Sequence, residues 1–271
     1  MKKIFPLLGL VLTMLACGLP QTVTPPPITT EPPTIEPPTA EPLTEEPIQV
    51  NVTCNELSFY LDPALAASYS CETVPASNLE FEIYPQYTNV TLQGYVLSGT
   101  FFTPHISVFP VAAYTALRPD YVPGRVVELQ SLTAGGAPGA YALPFLPIFN
   151  AAQTFHAQYR VVPFSNGSGI RFLTLYAQYY APVNNHDMFY TYQALTADGQ
   201  YWISAILPVN HAMLPPNADN PPGGQTWEQF SYNYEPYITD MVNQLNAQPA
   251  ESFIPSLAAL DALVQSIIVQ P

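Results

Sequence analysis

A proline-rich segment divides this chain of 271 residues into two unequal parts. Residues 18–49 contain ten prolines, seven threonines and five glutamates, with few large apolar residues. Such a segment cannot bury enough apolar surface to fold, and it stays extended at ~3.1 Å per residue where it is polyproline-like. We therefore predict a disordered Pro/Thr/Glu-rich stalk over residues 17–49 and one globular α+β domain over residues 50–271, which is long enough for a sizeable core.

The residues before the stalk are arranged like a secretory leader. Lys2 and Lys3 precede a largely apolar run of twelve residues, Ile4–Leu15, which is too short to span a bilayer. The run ends on Ala16 and Cys17, an ending that resembles the lipobox of bacterial lipoproteins. The resemblance implies that residues 1–16 are a lipoprotein signal peptide and that Cys17 is acylated. It also implies an extracytoplasmic protein, anchored to the bacterial cell membrane through the lipid on Cys17.

Charge in the predicted domain is sparse and one-sided. Four arginines and no lysine stand against fifteen acidic residues between Glu56 and Asp261. This balance argues against nucleic acid as a partner, because phosphate backbones are bound by clustered Lys and Arg. The absence of lysine after residue 3 also excludes a P-loop and Schiff-base chemistry in the predicted domain.

Two cysteines, Cys54 and Cys71, remain once Cys17 is assigned to the lipid. In an exported protein such a pair favours a disulfide over a metal site or a reactive thiol. A bridge closing a loop of this length contributes about 3 kcal/mol in the chain-entropy model. Between the two cysteines, Asp62 followed by proline predicts the start of a short helix.

Runs with a period of two, rich in Tyr, Phe, Val and Thr, predict several short strands in an antiparallel arrangement. The dipeptide Asp198-Gly199 lies between two such runs and predicts a hairpin, since a two-residue turn needs positive φ at both central positions. The resulting register pairs Leu195 with Trp202. It also puts Trp202 and Gln193 on the more polar face of the hairpin.

Apolar stripes at helical spacing predict four helices, two ahead of the longest strand runs and two at the end of the chain. The last two begin behind Pro236 and Pro255, and Ser252 is the predicted N-cap of the final helix. Stripes of this kind face a core, so we expect the helices to cover the sheet.

This order of elements resembles the PsbP/MOG1-like α/β/α sandwich. The resemblance rests on Leu79–Pro85 as an early strand, Leu195–Tyr201 at the central hairpin and Asp261–Ser266 in the closing helix. The chain is also similar to a group of bacterial lipoproteins that join a Pro/Thr stalk to such a domain. The resemblance spans residues 79–269 and implies a central antiparallel sheet covered by helices. It further implies a binding role without catalysis, and it carries over no site residues.

No familiar catalytic or metal-binding motif occurs after Cys17. The four histidines have neither His-x-His nor His-Glu-x-x-His spacing, so no zinc site and no cofactor are predicted. Residues 184–187 and 217–220 are rich in oxygen ligands but are interpreted as loops rather than Ca²⁺ sites. Ser168, between two glycines, is assigned to a hairpin and not to a nucleophile elbow, because a strand follows it.

Aromatic residues carry the remaining functional signal, with eighteen tyrosines and two tryptophans. Rings with polar tips fill sheet faces and also stack on sugars or peptides. We therefore favour a non-catalytic binding or assembly module over the alternative, an extracellular hydrolase acting on glycan or peptide. The predicted ligand-binding residues are Trp202 and Gln193 on the hairpin, with Tyr176 and Gln178 on the preceding strand. The alternative for Trp202 is that a helix covers this face and packs on the ring.

Overall fold

The computed structural model describes residues 49–80, 82–139 and 142–270, which form a mixed α+β structure. The predicted signal peptide, Cys17 and all but the last residue of the predicted stalk lie outside these ranges. Among the described residues, none of the helices combines the length and apolar character needed to cross a membrane.

Sixteen strands make up the β-structure of the described residues, and most of the long ones lie between residues 66 and 208. In chain order they are β1 (Val52–Cys54), β2 (Leu57–Phe59), β3 (Ala66–Val74), β4 (Ser77–Leu79), β5 (Glu82–Tyr84), β6 (Tyr87–Tyr95), β7 (His105–Pro110), β8 (Ala152–Gln153), β9 (Ala157–Phe164), β10 (Gly167–Thr174), β11 (Tyr176–Ala177), β12 (Phe189–Thr196), β13 (Tyr201–Pro208), β14 (Asn210–His211), β15 (Phe253–Ile254) and β16 (Ile268–Val269).

Five α-helices occur in the same part of the chain. They are α1 (Val111–Leu117), α2 (Val122–Thr133), α3 (Trp227–Tyr232), α4 (Tyr234–Asn246) and α5 (Leu257–Gln265). The four predicted helices correspond to α1, α2, α4 and α5. The additional helix α3 is short and begins with a capping box, in which Thr226 and Gln229 exchange side-chain to backbone hydrogen bonds.

Seven strands form the central sheet, in the order β3-β6-β7-β13-β12-β10-β9. Every neighbouring pair in this order is antiparallel. The predicted antiparallel sheet is therefore confirmed. The β9–β10 hairpin confirms the hairpin predicted at residues 166–169, but the turn lies at residues 165–166 and Ser168 is in β10 opposite Leu195.

The β12–β13 hairpin has the predicted register, with Leu195 opposite Trp202 and Gln193 opposite Ser204. Its turn differs in one respect from the prediction, because Gly199 has positive φ (70°) and Asp198 does not. Instead, Asp198 Oδ1 accepts hydrogen bonds from Thr196 Oγ1 (2.6 Å) and Gln200 N (3.0 Å). The aspartate closes the turn through its side chain, so only the glycine needs the left-handed conformation.

Helices cover both faces of the central sheet. Tyr190, Tyr192 and Ala194 of β12 lie in one core, here called core one, together with the buried face of α5. Phe189 and Leu195, on the other face of β12, lie in core two with Trp202. Core two also contains buried residues of α1, α2 and the segment 143–146. Alternating residues of one strand thus enter two separate cores, as the pleat requires.

A disulfide joins Cys54 of β1 to Cys71 of β3, with a Cα–Cα distance of 5.6 Å, which confirms the predicted pairing. The strands β1 and β2 form a small sheet with β16, so both ends of the described fold meet there. The bridge therefore ties this small sheet to an edge strand of the large one.

Two local predictions are wrong. The residues after Asp62 form a turn, in which Leu65 N donates to Asp62 O (2.9 Å), and the chain enters β3 at Ala66 without a helix. The N-cap of α5 is Ser256, whose side chain accepts from Ala259 N, whereas Ser252 lies in a short 3₁₀ turn. In both places a residue that is typical of a helix start lies in a turn instead, and no α-helix begins directly after it.

Candidate functional site: an aromatic groove

Two of the four predicted ligand-binding residues, Trp202 and Gln193, are fully buried in core two. Gln193 Oε1 accepts hydrogen bonds from Trp202 Nε1 (2.7 Å) and Leu146 N (3.0 Å). Its Nε2 donates to Thr191 Oγ1 (2.9 Å) and Ser204 Oγ (2.8 Å). The Trp202 ring and the Gln193 amide therefore make their contacts inside the protein. The prediction that these two residues contact a ligand is corrected, because other residues of core two cover this face of the central sheet.

The cover over Trp202 is not the C-terminal helix. The buried residues that share core two with Trp202 come from α1, α2 and the segment 143–146, whereas those of α5 lie in core one on the opposite face of the sheet. Leu146, in that segment, is the residue whose backbone N–H bonds to Gln193. A stretch of irregular chain thus completes the second core.

The other two predicted residues, Tyr176 and Gln178, lie at an open groove. After Thr174 the chain leaves the central sheet, and β11 pairs with β8 in a separate ladder that puts Tyr176 opposite Gln153. Tyr176 is partly buried and Gln178 is exposed. The prediction had put them on one continuous face with Trp202, and the departure of the chain from the sheet separates them from it.

The groove, here called the aromatic groove, consists of two adjoining hollows of about 1030 Å³ and 440 Å³. Both hollows are lined by residues 149–151 and 177–179. The remaining lining residues are Phe101, Phe102, Ala152, Gln153, Thr154, Tyr176, Tyr180, Ala181, Asp187 and Tyr234. A combined space of this size lies in the range of small-ligand sites in proteins, or somewhat above it.

One wall of the aromatic groove is an extension of core two. Phe102 stacks on Phe149 with ring centroids 5.4 Å apart, and Phe149 meets Tyr176 edge to face at 4.9 Å. Phe102 also packs on Phe189, a residue of core two. At the outer end, Phe101 packs against Phe102 and is 65% exposed. The rings therefore form a continuous series from the protein interior to the solvent.

The other wall is built by Tyr234 of α4 and the segment before residue 181, and Trp227 of α3 lies beside it. Tyr180 packs on Tyr234 with ring centroids 4.8 Å apart, and Tyr179 lies 6.4 Å from Trp227. Tyr179 is 57% exposed and Trp227 is 45% exposed. Tyr237, further along α4, packs against core one and accepts a hydrogen bond from Val183 N through its hydroxyl (2.8 Å). Each wall is thus supported by a different core.

The floor of the groove carries amide side chains. Gln178 Nε2 donates to Asn150 O (2.5 Å), which ties the two flanking segments together. Gln153 Oε1 accepts from Leu143 N (2.6 Å), while its Nε2 has no hydrogen-bond partner among the described residues. A third hollow of about 450 Å³ continues past Gln153 toward α4. Amides with free donors and acceptors therefore lie between the aromatic walls.

Within the described ranges, Asp187 is the one carboxylate that lines the aromatic groove. Its Oδ1 lies 2.6 Å from His186 Nδ1, and its Oδ2 accepts from Asn184 Nδ2 (2.8 Å). Asn184 Oδ1 in turn accepts from the backbone N–H groups of residues 186 and 187. These contacts make residues 184–187 a closed loop, as predicted, and hold Asp187 in place at one end of the groove.

The pKa values near the groove reflect burial and acidic neighbours. Burial raises the pKa of the Tyr179 hydroxyl, and the negative charges of Asp187 and Asp219 raise it further. Burial also lowers the pKa of His156, which lines the hollow next to Gln153, so this imidazole stays neutral at neutral pH. Arg118 and Glu80 line an adjoining hollow of about 120 Å³, which shares Phe149 and Asn150 with the groove. The aromatic groove itself has little charge, and that charge is negative.

A second group of titratable residues lies away from the groove, beneath α5. Asp261 Oδ1 is 3.2 Å from Arg171 Nε and accepts a hydrogen bond from the Tyr190 hydroxyl (3.1 Å). Burial raises the pKa of Asp261, and Arg171 and Tyr190 partly oppose that rise. The group is enclosed within core one and connects α5 to the sheet.

Sequence reasoning missed the groove residues Phe101, Phe149, Asn150 and Tyr179, and the neighbouring Trp227. One signal was present: the paired aromatics at 101–102 and 179–180 interrupt the period of two, so one ring of each pair is exposed wherever the chain has only one covered face. The described residues contain no cluster of three His, Cys, Asp or Glu side chains arranged to hold a metal ion. Comparison with family models, with curated proteins and with solved structures gives no match to this chain.

Proposed function

We propose that this chain is an exported lipoprotein whose domain, residues 50–271, binds a ligand in the aromatic groove without transforming it. The observation that carries the proposal is the groove itself, in which exposed rings such as Phe101 and Tyr179 surround amide side chains. Soluble proteins seldom expose contiguous aromatic surface without a use for it, and such surfaces mark interaction sites.

The groove is already assembled in the free chain, which supports a binding role. The Tyr234 hydroxyl donates to Ala181 O (3.0 Å), and Val183 N donates to the Tyr237 hydroxyl (2.8 Å). On the opposite side, Gln178 Nε2 holds Asn150 O. A site held by such contacts loses little conformational entropy when a ligand enters, so more of the contact energy appears as affinity.

Binding is favoured over hydrolysis because the groove lacks a matched set of catalytic groups. Glycoside hydrolysis needs two carboxyl groups on either side of the scissile bond, and Asp187 is the single carboxylate in the lining that the structure describes. That described lining also contains no serine or cysteine, and the Thr154 hydroxyl donates to Leu175 O (3.1 Å). The side-chain oxygens of Asp187 are bonded to its own loop.

Export and lipid anchoring rest on the leader and on the disulfide. Cys54 and Cys71 form a bridge, and disulfides persist in oxidising compartments outside the cytosol. The basic start and the short apolar run are the features of an export signal, and Cys17 is the proposed site of lipid attachment. We likewise propose, on the resemblance described above, that the helix-covered antiparallel sheet is a PsbP/MOG1-like fold in a stalked lipoprotein.

The anchoring proposal is tested by mass spectrometry of the membrane-bound protein from bacteria that express the full chain. The expected N-terminal peptide starts at Cys17 and carries a diacylglyceryl group, and C17A should release the protein from the membrane fraction. An intact Met1–Ala16 segment on the mature protein would contradict the proposal, as would a membrane-bound C17A variant.

The binding proposal is tested by titrating the full chain with a panel of oligosaccharides and extended peptides, using calorimetry and chromatography of the recovered ligand. We expect saturable binding that Tyr179→Ala weakens, with the ligand recovered intact. The control is Tyr60→Ala, which removes a 39% exposed tyrosine that does not line the groove. Shortened ligand would show a hydrolase instead, and binding that Tyr179→Ala leaves unchanged would exclude the groove.

A further inference from the structure

We infer that the ligand of the aromatic groove is a neutral oligosaccharide, an inference that rests on the proposed binding function of that groove. Aromatic faces, free amides and weak negative charge occur there together. Each of these features selects for or against a class of ligand, and an uncharged, hydroxyl-rich chain fits all three. Both side-chain oxygens of Asp187 are already bonded within its loop, so a cationic group gains little there.

The charge around the groove disfavours anions. Asp187 lines it, and the charges of Asp187 and Asp219 are felt at the Tyr179 hydroxyl. Among the described residues, the groove lining contains no lysine or arginine. Arg118 lines an adjoining small hollow together with Glu80, and its guanidinium is already paired with Asp120. A phosphorylated, sulfated or uronic acid chain would thus enter without a cationic partner, which costs binding free energy.

The aromatic walls provide flat apolar faces that are partly open to solvent. Tyr179 and Trp227 are about half exposed and lie side by side on one wall, while Phe101 is exposed on the other. The C–H faces of a pyranose ring pack well on such surfaces, because the rings offer a broad contact and a negatively polarised face. Rings already held by neighbours such as Tyr234 and Phe102 lose little freedom on contact.

The amides between the walls match pairs of hydroxyl groups. An amide side chain offers both donors and an acceptor, so it pairs with two neighbouring hydroxyls that each donate and accept. Gln178 uses one donor on Asn150 O, and its Oε1 and the Asn150 side chain have no hydrogen-bond partner among the described residues. Gln153 Nε2 lacks a partner among the described residues as well, but it is buried and does not face the open groove. These groups cannot all be satisfied by an apolar ligand.

A peptide bound as an added β-strand fits these features less well. Such peptides are held by backbone hydrogen bonds along a strand edge. The strands at the groove, β8 and β11, have two residues each and are paired with one another. They therefore offer a very short edge, whereas a hydroxyl-rich chain uses the side-chain amides.

The test uses the labelled full chain on an array with four arms: neutral oligosaccharides, carboxylated or sulfated oligosaccharides, oligosaccharides with free amino groups, and extended peptides. Hits are then titrated by calorimetry. We expect binding in the neutral arm alone, with an affinity that changes little over a tenfold rise in salt, since no charge pair is involved. Tyr179→Ala should weaken binding about ten-fold or more, because Tyr179 lines both hollows of the groove. Trp227→Ala should weaken it less, because Trp227 lies beside Tyr179 and is not itself a lining residue.

Two controls separate a lost contact from a lost fold. Tyr60→Ala removes an exposed tyrosine outside the groove and should leave affinity unchanged. Tyr179→Phe keeps the ring and removes the hydroxyl, so it should retain most of the affinity that Tyr179→Ala loses. Thermal unfolding of each variant shows whether it is folded. If Tyr179→Ala does not fold, the affinity of Tyr179→Phe is compared with that of the unchanged protein instead.

The outcomes distinguish the ligand class from the function. Groove-dependent binding of charged glycans or peptides would overturn the ligand class and keep the binding function of the groove. The absence of binding in the neutral arm would also overturn the ligand class, and binding in the other arms would then decide whether the groove is a binding site. Binding of neutral oligosaccharides that neither Tyr179→Ala nor Trp227→Ala weakens would overturn both. Cleavage of a neutral ligand would keep the ligand class and overturn the non-catalytic role.

Discussion

The two tryptophans have similar neighbours, but one lies in a packed core and the other lies beside an open groove. Trp202 lies beside Gln193 in core two and is fully buried, whereas Trp227 lies beside Tyr179 at the aromatic groove and is 45% exposed. In the first region the amide is saturated by four protein hydrogen bonds. In the second, the amide of Gln178 makes one such bond. Residue type alone therefore does not distinguish a tryptophan that packs in a core from one that is open to a ligand. The difference is whether another segment of the chain covers the ring.

The largest expected contrast is between Trp202→Ala and Trp227→Ala. Trp202→Ala should lower the free energy of unfolding by about 3 to 5 kcal/mol, because it leaves a large cavity in core two. Trp227→Ala should lower it by less than about 1 kcal/mol, because almost half of the ring is already in water. Urea unfolding, followed by circular dichroism, measures both. Equal destabilisation by the two substitutions would contradict the assignment of one ring to the core and the other to the groove.

Removing the disulfide should lower the stability of the fold without changing the groove. Reduction, or the double substitution of Cys54 and Cys71 by serine, should lower the free energy of unfolding by about 3 kcal/mol, as expected for a closed loop of this length. The bridge lies in the small sheet and at the edge strand β3, and neither cysteine lines the groove. The reduced protein that remains folded should therefore bind ligand with unchanged affinity. A matched loss of affinity would show that the groove depends on this edge.

A third contrast concerns the two glutamines. Gln193→Leu should cost about 2 to 3 kcal/mol, because Trp202 Nε1–H and the Leu146 N–H lose their acceptor inside core two. Gln178→Leu should cost less than about 1 kcal/mol, since Gln178 is exposed and its single bond goes to Asn150 O. The same unfolding assay measures both. A larger effect at Gln178 than at Gln193 would mean that the groove, and not core two, is the more tightly organised region.

The smallest expected effect is the dependence of stability on pH. Burial lowers the pKa of His105, His156 and His211 below the ordinary value of 6.5 that the unfolded chain retains. Below that value the unfolded state binds protons that the folded state does not, so the free energy of unfolding falls as pH drops from 7 toward 5. Asp261, with its pKa raised by burial, acts in the opposite sense at lower pH.

Melting temperatures at pH 7 and pH 5 test this dependence. The value at pH 5 should be the lower one, and His156→Asn, next to the groove, should reduce the difference. A higher melting temperature at pH 5 would show that the histidines do not carry the effect.

The parts of the fold that were predictable depend on local signals. Asp198-Gly199 specified the hairpin and its register, the apolar stripes specified α4 and α5, and two lone cysteines specified the disulfide. Each of these features is decided by residues close in sequence, or by elimination among few candidates. The predictions about Cys17 concern residues outside the described ranges and stay predictions.

The covering of Trp202 was not predictable because it depends on residues distant in sequence. The segment 143–146 has no helical or strand period, yet it completes core two and bonds to Gln193. Tyr176 and Gln178 were assigned to a binding surface by continuing the alternation of β10, but the chain leaves the sheet after Thr174. They do line an open groove, formed with residues more than twenty positions away in either direction, such as Asn150 and Tyr234.

The most direct measurement is a titration of the two indole N–H signals in the ¹H–¹⁵N spectrum of the full chain with a neutral oligosaccharide. The buried indole of Trp202 donates to Gln193 and should exchange slowly with solvent, while the exposed indole of Trp227 should exchange quickly. On addition of ligand, we predict that the Trp227 signal shifts in a saturable way and the Trp202 signal stays in place. A ligand-dependent shift of Trp202 with no change at Trp227 would contradict the assignment of binding to the aromatic groove.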